Sequence, residues 1–346
     1  MSRRDEIAVF REGRPEVPPY HPMARERLHA RLFDQPVDTR AGARRGWFVV
    51  VRAMGVGAAA AALAAGIVVL KEAPGARQGR VTATANGGTP TVVRLRPVAD
   101  AQDLAGNAAA KAAADDEPAP RPDQWAYVKT VVAQTRVDGG PPLFGQPKVT
   151  RTHEMWRRVN EKGFATIENG RLKTYDGSEF EVTYPYLLGL PTDPDRLLAR
   201  MYGQVEREHD ARPVSRDSTA SPPPMSEEER DTVAFQQLAQ GMRDAALPAR
   251  LRAAMYGAMA KIPGVKYRAS AADLAGRPGV SLYRLQYGYQ RDEIFIDPKT
   301  YEYMGYRTIV VRDHDGGAFD SVKKGQVLGW DSVLKATLVD KPGQRL

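Results

Sequence analysis

A run of apolar and small residues from Trp47 to Leu70, WFVVVRAMGVGAAAAALAAGIVVL, is broken only by Arg52 and constrains everything around it. As a helix at about 1.5 Å per residue, the uncharged part from Ala53 to Leu70 reaches ~27 Å, close to the ~30 Å hydrocarbon core of a bilayer. Trp47 and Phe48 stand where aromatic side chains favour the membrane interface, and Arg52 is placed to carry its guanidinium to the headgroups. The sequence predicts one transmembrane helix over 47–70, which makes the lipid bilayer the first partner of the chain.

Arg40, Arg44, Arg45 and Arg52 crowd the N-terminal side of this run, whereas the other side opens with Lys71-Glu72 and has only Arg77 and Arg80 nearby. By the positive-inside rule the N-terminus is cytoplasmic and the residues after 70 lie outside the cell membrane. The 46 residues before the run are too many for the short basic head of a cleaved signal peptide, so the run reads as an uncleaved signal anchor. Gly57, Ala61 and Ala65 share a helix face, but in so alanine-rich a segment this spacing defines no dimer motif.

Charge and cysteine usage narrow the function classes. The net charge of +8 divides into +3 for residues 1–46, +1 from Arg52 and +4 for residues 71–346, where 39 basic and 35 acidic residues are intermixed. No single-sign block or recognition motif accompanies it, so the reading includes no nucleic acid partner. The chain has no cysteine, which rules out disulfides, thiolate zinc sites and cysteine nucleophiles. Abundant Ala, Arg, Gly and Pro fit a high-GC bacterial genome.

Residues 1–46 form a head that is largely disordered, with prolines confining any helix to Met23–Phe33, where Leu28 and Leu32 share a stripe. Residues 71–120 read as a linker: a flexible tether from Lys71 to about Gly88, a short strand at Val92–Leu95, and a helix at Ala99–Ala114 ended by Asp115-Asp116-Glu117-Pro118. Residues 121–346 form the exterior domain. Strands are expected at Trp125–Arg136, Lys148–Asn160 and Phe164–Glu168, with hairpin signals at Asn169-Gly170 and Asp176-Gly177.

Thr192 and Asp195 resemble a capping box that opens a helix over Pro194–Glu208, followed by a mobile loop from His209 to Met225. Ser226 and Glu229 open a second helix to about Ala246. A third runs over Ala249–Lys261, with Leu251, Met255, Met259 and Ile262 on one face. Strands return at Val280–Gln290, Glu293–Asp297, Glu302–Val311 and Gln326–Val339. Strands, helices, then strands make an α+β domain: an antiparallel sheet with inserted helices, following a single transmembrane helix.

The chain offers no catalytic, cofactor-binding or metal-binding signature. Its five histidines, at 21, 29, 153, 209 and 314, show no metal-ligand spacing, and Asp313-His314-Asp315-Gly316 reads as a hairpin turn because Lys324 stands where a calcium loop needs its last acid. Nucleophile elbow, Walker loop and dinucleotide fingerprint are all absent. Asp292 and Glu293 are adjacent, and adjacent strand residues face opposite ways, so they would not converge on a substrate. A non-enzymatic protein without cofactor is the expectation. In Val280–Gln290, Tyr283, Leu285, Tyr287 and Tyr289 alternate with Arg284, Gln286 and Gln290; the tyrosine face suits an apolar envelope ligand or a cover of helices from 227–261.

Four stretches carry a likeness: Pro118-x-Pro-Arg-Pro-Asp-Gln-Trp-Ala-Tyr-Val-Lys-Thr130, Leu190-Pro-Thr-Asp-Pro-Asp-x-Leu-Leu198, Ala249-x-Leu-x-Ala-Ala-Met-Tyr-x-Ala-Met-Ala-x-Ile-Pro-Gly-Val265 and Phe295-Ile-Asp-Pro-x-Thr-Tyr301. Together they resemble a family of actinobacterial single-pass membrane proteins with no assigned activity. More distantly, the element order is similar to the half-barrel of periplasmic lipoprotein carriers and of sensor domains that regulate envelope-stress sigma factors. Two functional classes stand from this reading. One is a regulator coupling an exterior ligand to a cytoplasmic partner such as a sigma factor through residues 1–46. The other is an anchored module that handles lipid or lipoprotein, with a surface hydrolase behind both.

Overall fold

The structure is a computed structural model that describes residues 80–82, 92–115, 117–135, 142–178, 180, 182–211, 224–315 and 321–345. The head and transmembrane helix expected over residues 1–70, and most of the 209–225 loop, lie outside the described residues. No helix among the described residues is long and apolar enough to cross a membrane.

Two short strands, β1 (Arg80–Thr82) and β2 (Val92–Arg94), form an antiparallel ribbon, so the stretch read as a plain tether contains a strand. Helix α1 (Ala101–Ala114) follows; the Asp100 carboxylate accepts the Gln102 and Asp103 backbone N–H groups, which the first turn would otherwise leave unpaired. Then come β3 (Trp125–Ala133), β4 (Thr150–Arg158), β5 (Gly163–Glu168) and β6 (Arg171–Asp176). A helical segment follows: α2 (Tyr184–Leu188), α3 (Pro194–Asp210), α4 (Glu227–Arg243) and α5 (Ala249–Lys261). Strands β7 (Val265–Ala272), β8 (Pro278–Gln286), β9 (Gln290–Ile296), β10 (Tyr303–Val310) and β11 (Val327–Val339) complete the described chain.

Strands β3 to β11 make one antiparallel sheet in the order β6-β5-β4-β3-β11-β10-β9-β8-β7. The α+β class is as expected. The last strand returns beside β3, so two meanders join into one sheet, and the helices inserted between them pack on a single face. That face contributes Ala126, Val128, Val280, Leu282, Ile294, Ile296 and Val333 to the main core, against Leu197, Met201, Phe235, Leu238 and the Leu251, Met255, Met259 and Ile262 face of α5. The reverse face carries smaller clusters around Trp156 and around Phe295 and Trp330.

Helix α1 belongs to this core rather than to a linker. Ala101, Leu104, Ala105, Ala108 and Ala112 are buried within it, and α1 lies mainly along α5. The small alanine side chains are what let the two helices approach. The Gln102 amide donates to the Ala260 carbonyl, and Glu117, just past α1, accepts the Ala249 N–H that Pro248 cannot cap for α5.

Three further local expectations are revised. Asp193, not Thr192, caps α3 by accepting the Arg196 N–H, with Pro194 in the first turn. Helix α3 also extends through His209 and Asp210. The stretch Val280–Gln290 is a hairpin: β8 stops at Gln286, Tyr287 and Gly288 both take positive φ, and β9 starts at Gln290. Ser226 caps α4 through the Glu229 N–H, as the sequence predicts.

Gly305 holds a bulge in β10 at φ +148, where a Cβ would stand 2.3 Å from the Asp331 carbonyl oxygen. Gly305→Ala is expected to cost about 3 kcal/mol, because neither backbone can yield without losing ladder bonds. Chemical denaturation checks it; a loss under about 1 kcal/mol would show that β10 relaxes around the methyl group.

Candidate functional site

The strand residues considered for chemistry separate as the pleat requires. Asp292 points into the helix-covered face, accepting hydrogen bonds from Thr308 Oγ1 at 2.7 Å and Gln236 Nε2 at 2.9 Å, with Gln286 also bonded to it. Burial raises its carboxyl above the ordinary range, with hydrogen bonds from Tyr306, Thr308, Gln236 and Gln290 opposing the rise. Glu293 points to the reverse face, where Arg268, Arg291 and Arg307 converge on it. Burial works to raise that carboxyl, but the three guanidinium groups outweigh burial and hold it below the usual range.

The tyrosine face is not the one the helices cover. Arg284 and Gln286 turn toward α4: the Arg284 guanidinium donates to Thr232 Oγ1 at 2.7 Å and pairs with Glu228 at 3.0 Å, and Gln236 of α4 meets Asp292 between them. Helix α4 begins Glu227-Glu228-Glu229, so its acidic first turn takes the arginine. Tyr283 and Leu285 lie on the other face, and Tyr287 is a half-exposed turn residue.

The three described histidines, His153, His209 and His314, are placed apart, on β4, at the end of α3 and stacked on Tyr289 at 4.0 Å between centroids. Among the described residues no group of three or more His, Asp or Glu side chains could hold a metal ion. Asp313 accepts the Lys324 N–H at 2.8 Å and pairs with Lys323 at 3.3 Å, the contacts of a turn.

The concavity that does form lies between the α4–α5 corner and the ends of β7, β8, β10 and β11, a cleft of about 690 Å³. Its apolar lining is Met242, Leu247, Tyr267, Val280, Tyr303, Met304 and Val333, and its cationic lining includes Arg252, Lys299 and Lys335. Lys299, Lys335 and Glu302 are exposed, so two positive charges and one negative sit at the mouth, and the apolar side chains lie deeper.

Fixed groups shape this cleft. Asp297 accepts the Lys299 and Thr300 N–H groups and so forms the β9–β10 turn at the rim. Arg277 is clamped between Asp273 and the carbonyl oxygens of Met304 and Val333, tying the start of β8 to β10 and β11. The Tyr303 hydroxyl and Arg252 Nε are buried without a hydrogen-bond partner among the described residues. Burial holds the Tyr303 phenol well above its ordinary value, so it stays a donor.

Behind Tyr303, Asp331 lies 3.6 Å from Arg243, which also pairs with Asp244 at 2.9 Å. Burial raises the Asp331 carboxyl to about 6; Arg243 pulls it down and Asp244 pushes it up. An acid with a raised pKa is protonated in the fold while already ionised in the unfolded chain, so stability falls as pH rises from about 4 to about 6. Wild type is therefore expected to gain about 2 kcal/mol over Asp331→Asn as pH is lowered from 7 to 4. Parallel denaturation curves measure it; a constant difference would remove Asp331 from the titrating groups.

Sequence reading missed the cleft because its walls come from six separate elements. Two local signals mark its rim: the Leu247-Pro248 break between α4 and α5, and Asp297-Pro298 within the Phe295–Tyr301 stretch. The chain matches no protein-family model and no curated protein, so the meaning of the cleft rests on its own geometry.

Proposed function

We propose that the domain is a non-catalytic binding module for an amphipathic ligand, an acyl-like apolar body with an acidic head, and that the chain is held at the outer side of a cell membrane by residues 47–70. The observation that carries the reading is the order of the cleft's lining: two lysines against Glu302 at an exposed mouth, with aliphatic and aromatic side chains below. An apolar pocket with a few fixed polar groups is the common form of a small-molecule site. The polar groups of the walls support a binding role over a catalytic one, since Asp297 and Arg277 are spent on turn and strand contacts. The regulator reading, with a sigma factor or similar partner, rests on residues 1–46, which lie outside the described residues.

The test is titration of the full-length protein in non-ionic detergent with a fluorescent long-chain fatty acid and with its uncharged methyl ester. The acid should bind more tightly than the ester, and Lys335→Glu should weaken the acid by roughly tenfold while leaving the ester unchanged. Ser270→Trp, at an exposed lining position, should block both. Binding of neither probe, or binding indifferent to Ser270→Trp, would remove the cleft as the site.

A further inference from the structure

On the reverse face of the sheet, far from the helices, strand register sets Lys266, Tyr283, Glu293, Arg307 and Trp330 in one row across β7, β8, β9, β10 and β11. Arg268 and Arg291 reach into the same row. Glu293 is fully buried, accepts the Ser281 hydroxyl at 2.9 Å, and meets Arg307 at 2.8 Å, Arg268 at 3.0 Å and Arg291 at 3.5 Å.

One carboxylate cannot balance three guanidinium groups, so this cluster carries a surplus of two positive charges before Lys266 is counted. A carboxylate accepts at about four lone-pair positions, whereas each guanidinium brings five donors. The surplus leaves a trace in the groups themselves: Arg291 is pushed below its ordinary value, by burial first and by Arg268 and Arg307 beside it, with Glu293 opposing. Arg291 Nε, Arg307 Nε and Trp330 Nε1 are buried donors without a partner among the described residues.

The guanidinium groups are also held in place. Arg307 lies 4.9 Å from the Trp330 ring and 5.3 Å from Phe295, and Arg268 and Arg291 lie 5.3 and 5.5 Å from Tyr283. Aromatic faces fix a planar cation at little further entropic cost, so the forks are set before any ligand arrives. The three side chains remain partly exposed, at 33% for Arg268, 20% for Arg291 and 17% for Arg307, so solvent reaches part of each.

We infer that this face is a second binding site, for a phosphate-type oxyanion held by Arg268, Arg291 and Arg307 with Glu293 as their common anchor. Guanidinium forks match the oxygens of phosphate in pairs, and a dianion would cancel the surplus charge. The phosphate is either soluble or the headgroup of an anionic lipid, and the two sources are separable.

The experiment is isothermal titration of the full-length protein in non-ionic detergent, with sodium pyrophosphate in one arm. In the other, micelles carry phosphatidylglycerol, with phosphatidylcholine as the uncharged control. Arg268→Gln with Arg291→Gln leaves Glu293 paired to Arg307; Arg268→Gln alone, a third exposed, serves if the double variant melts early. Arg121→Gln, at a distant exposed pair with Asp340, is the control. The expected result is binding in at least one arm, weakened roughly tenfold or more in the double variant and unchanged in Arg121→Gln. Pyrophosphate binding assigns a soluble phosphate, and binding of phosphatidylglycerol alone assigns a headgroup. Absence of binding in both arms, or equal weakening by Arg121→Gln, overturns the site. Fatty-acid binding in the cleft is measured separately and does not depend on these arginines.

Discussion

A fragment beginning at residue 121 is expected to melt at least ~10 °C below one beginning at residue 92, although residue 121 is where the sequence places the start of the folded domain. The difference is α1. Its five buried apolar residues cover α5, and removing it exposes both surfaces. Burial of one leucine and four alanines corresponds to about 5 kcal/mol, and at ~2–4 °C per kcal/mol for a domain of this size the shift is at least ~10 °C. The shorter fragment also loses Glu117, whose carboxylate caps α5. Leu104→Ala in the longer fragment isolates the packing contribution and should cost about 3 kcal/mol. Equal melting temperatures for the two fragments would mean that α1 docks without stabilising the sheet and its other helices.

Replacement of Glu293 by leucine should destabilise the fold by about 4 kcal/mol, while Asp292→Asn, one position earlier, should cost less than about 1 kcal/mol. The two acids share a strand and differ in what surrounds them. Glu293 is the common partner of three arginines, and its removal leaves them mutually repelling in a half-buried setting. Asp292 sits among neutral donors, and its raised carboxyl marks an environment that favours the uncharged form, which an amide imitates. The pH dependence has opposite signs. Glu293 has a depressed carboxyl, so its contribution is present above the usual carboxylate range and is lost as pH falls through its folded value. Asp292 has a raised one, so its contribution weakens as pH rises through its folded value. Urea unfolding of both variants at pH 4 and pH 7 measures both effects. A small loss for Glu293→Leu at pH 7 would show that the arginines find compensation elsewhere.

Much of the described domain was legible residue by residue. Ser226 as the cap of α4, the buried face of α5, the hairpin at Asn169-Gly170 and the α+β order all follow from periodicity and from side chains that pair with backbone a few positions away. The failures have the same root. Val280–Gln290 alternates through its turn, so the pattern alone does not reveal that Tyr287 and Gly288 reverse the chain. Strand β7, with its mixed Val-Lys-Tyr-Arg-Ala-Ser-Ala-Ala sequence at a sheet edge, has too little alternation to announce itself. Helix α1 is so rich in alanine that its apolar face looks like the composition of a linker.

By itself the sequence determined the kinds of elements, most of their ends, and the opposite facing of Asp292 and Glu293, because each of these depends on neighbours within a few residues. Only the tertiary structure decided which side of the sheet the helices cover. Both faces of β8 carry residues that could be covered, and the face the helices take sets Val280 and Leu282 in the core and Arg284 against the acidic first turn of α4, more than fifty residues away. The same holds for the cleft and for the arginine row. Each is assembled from strands far apart in the chain, and charge or cavity volume shared among them exists only once register has set those strands side by side.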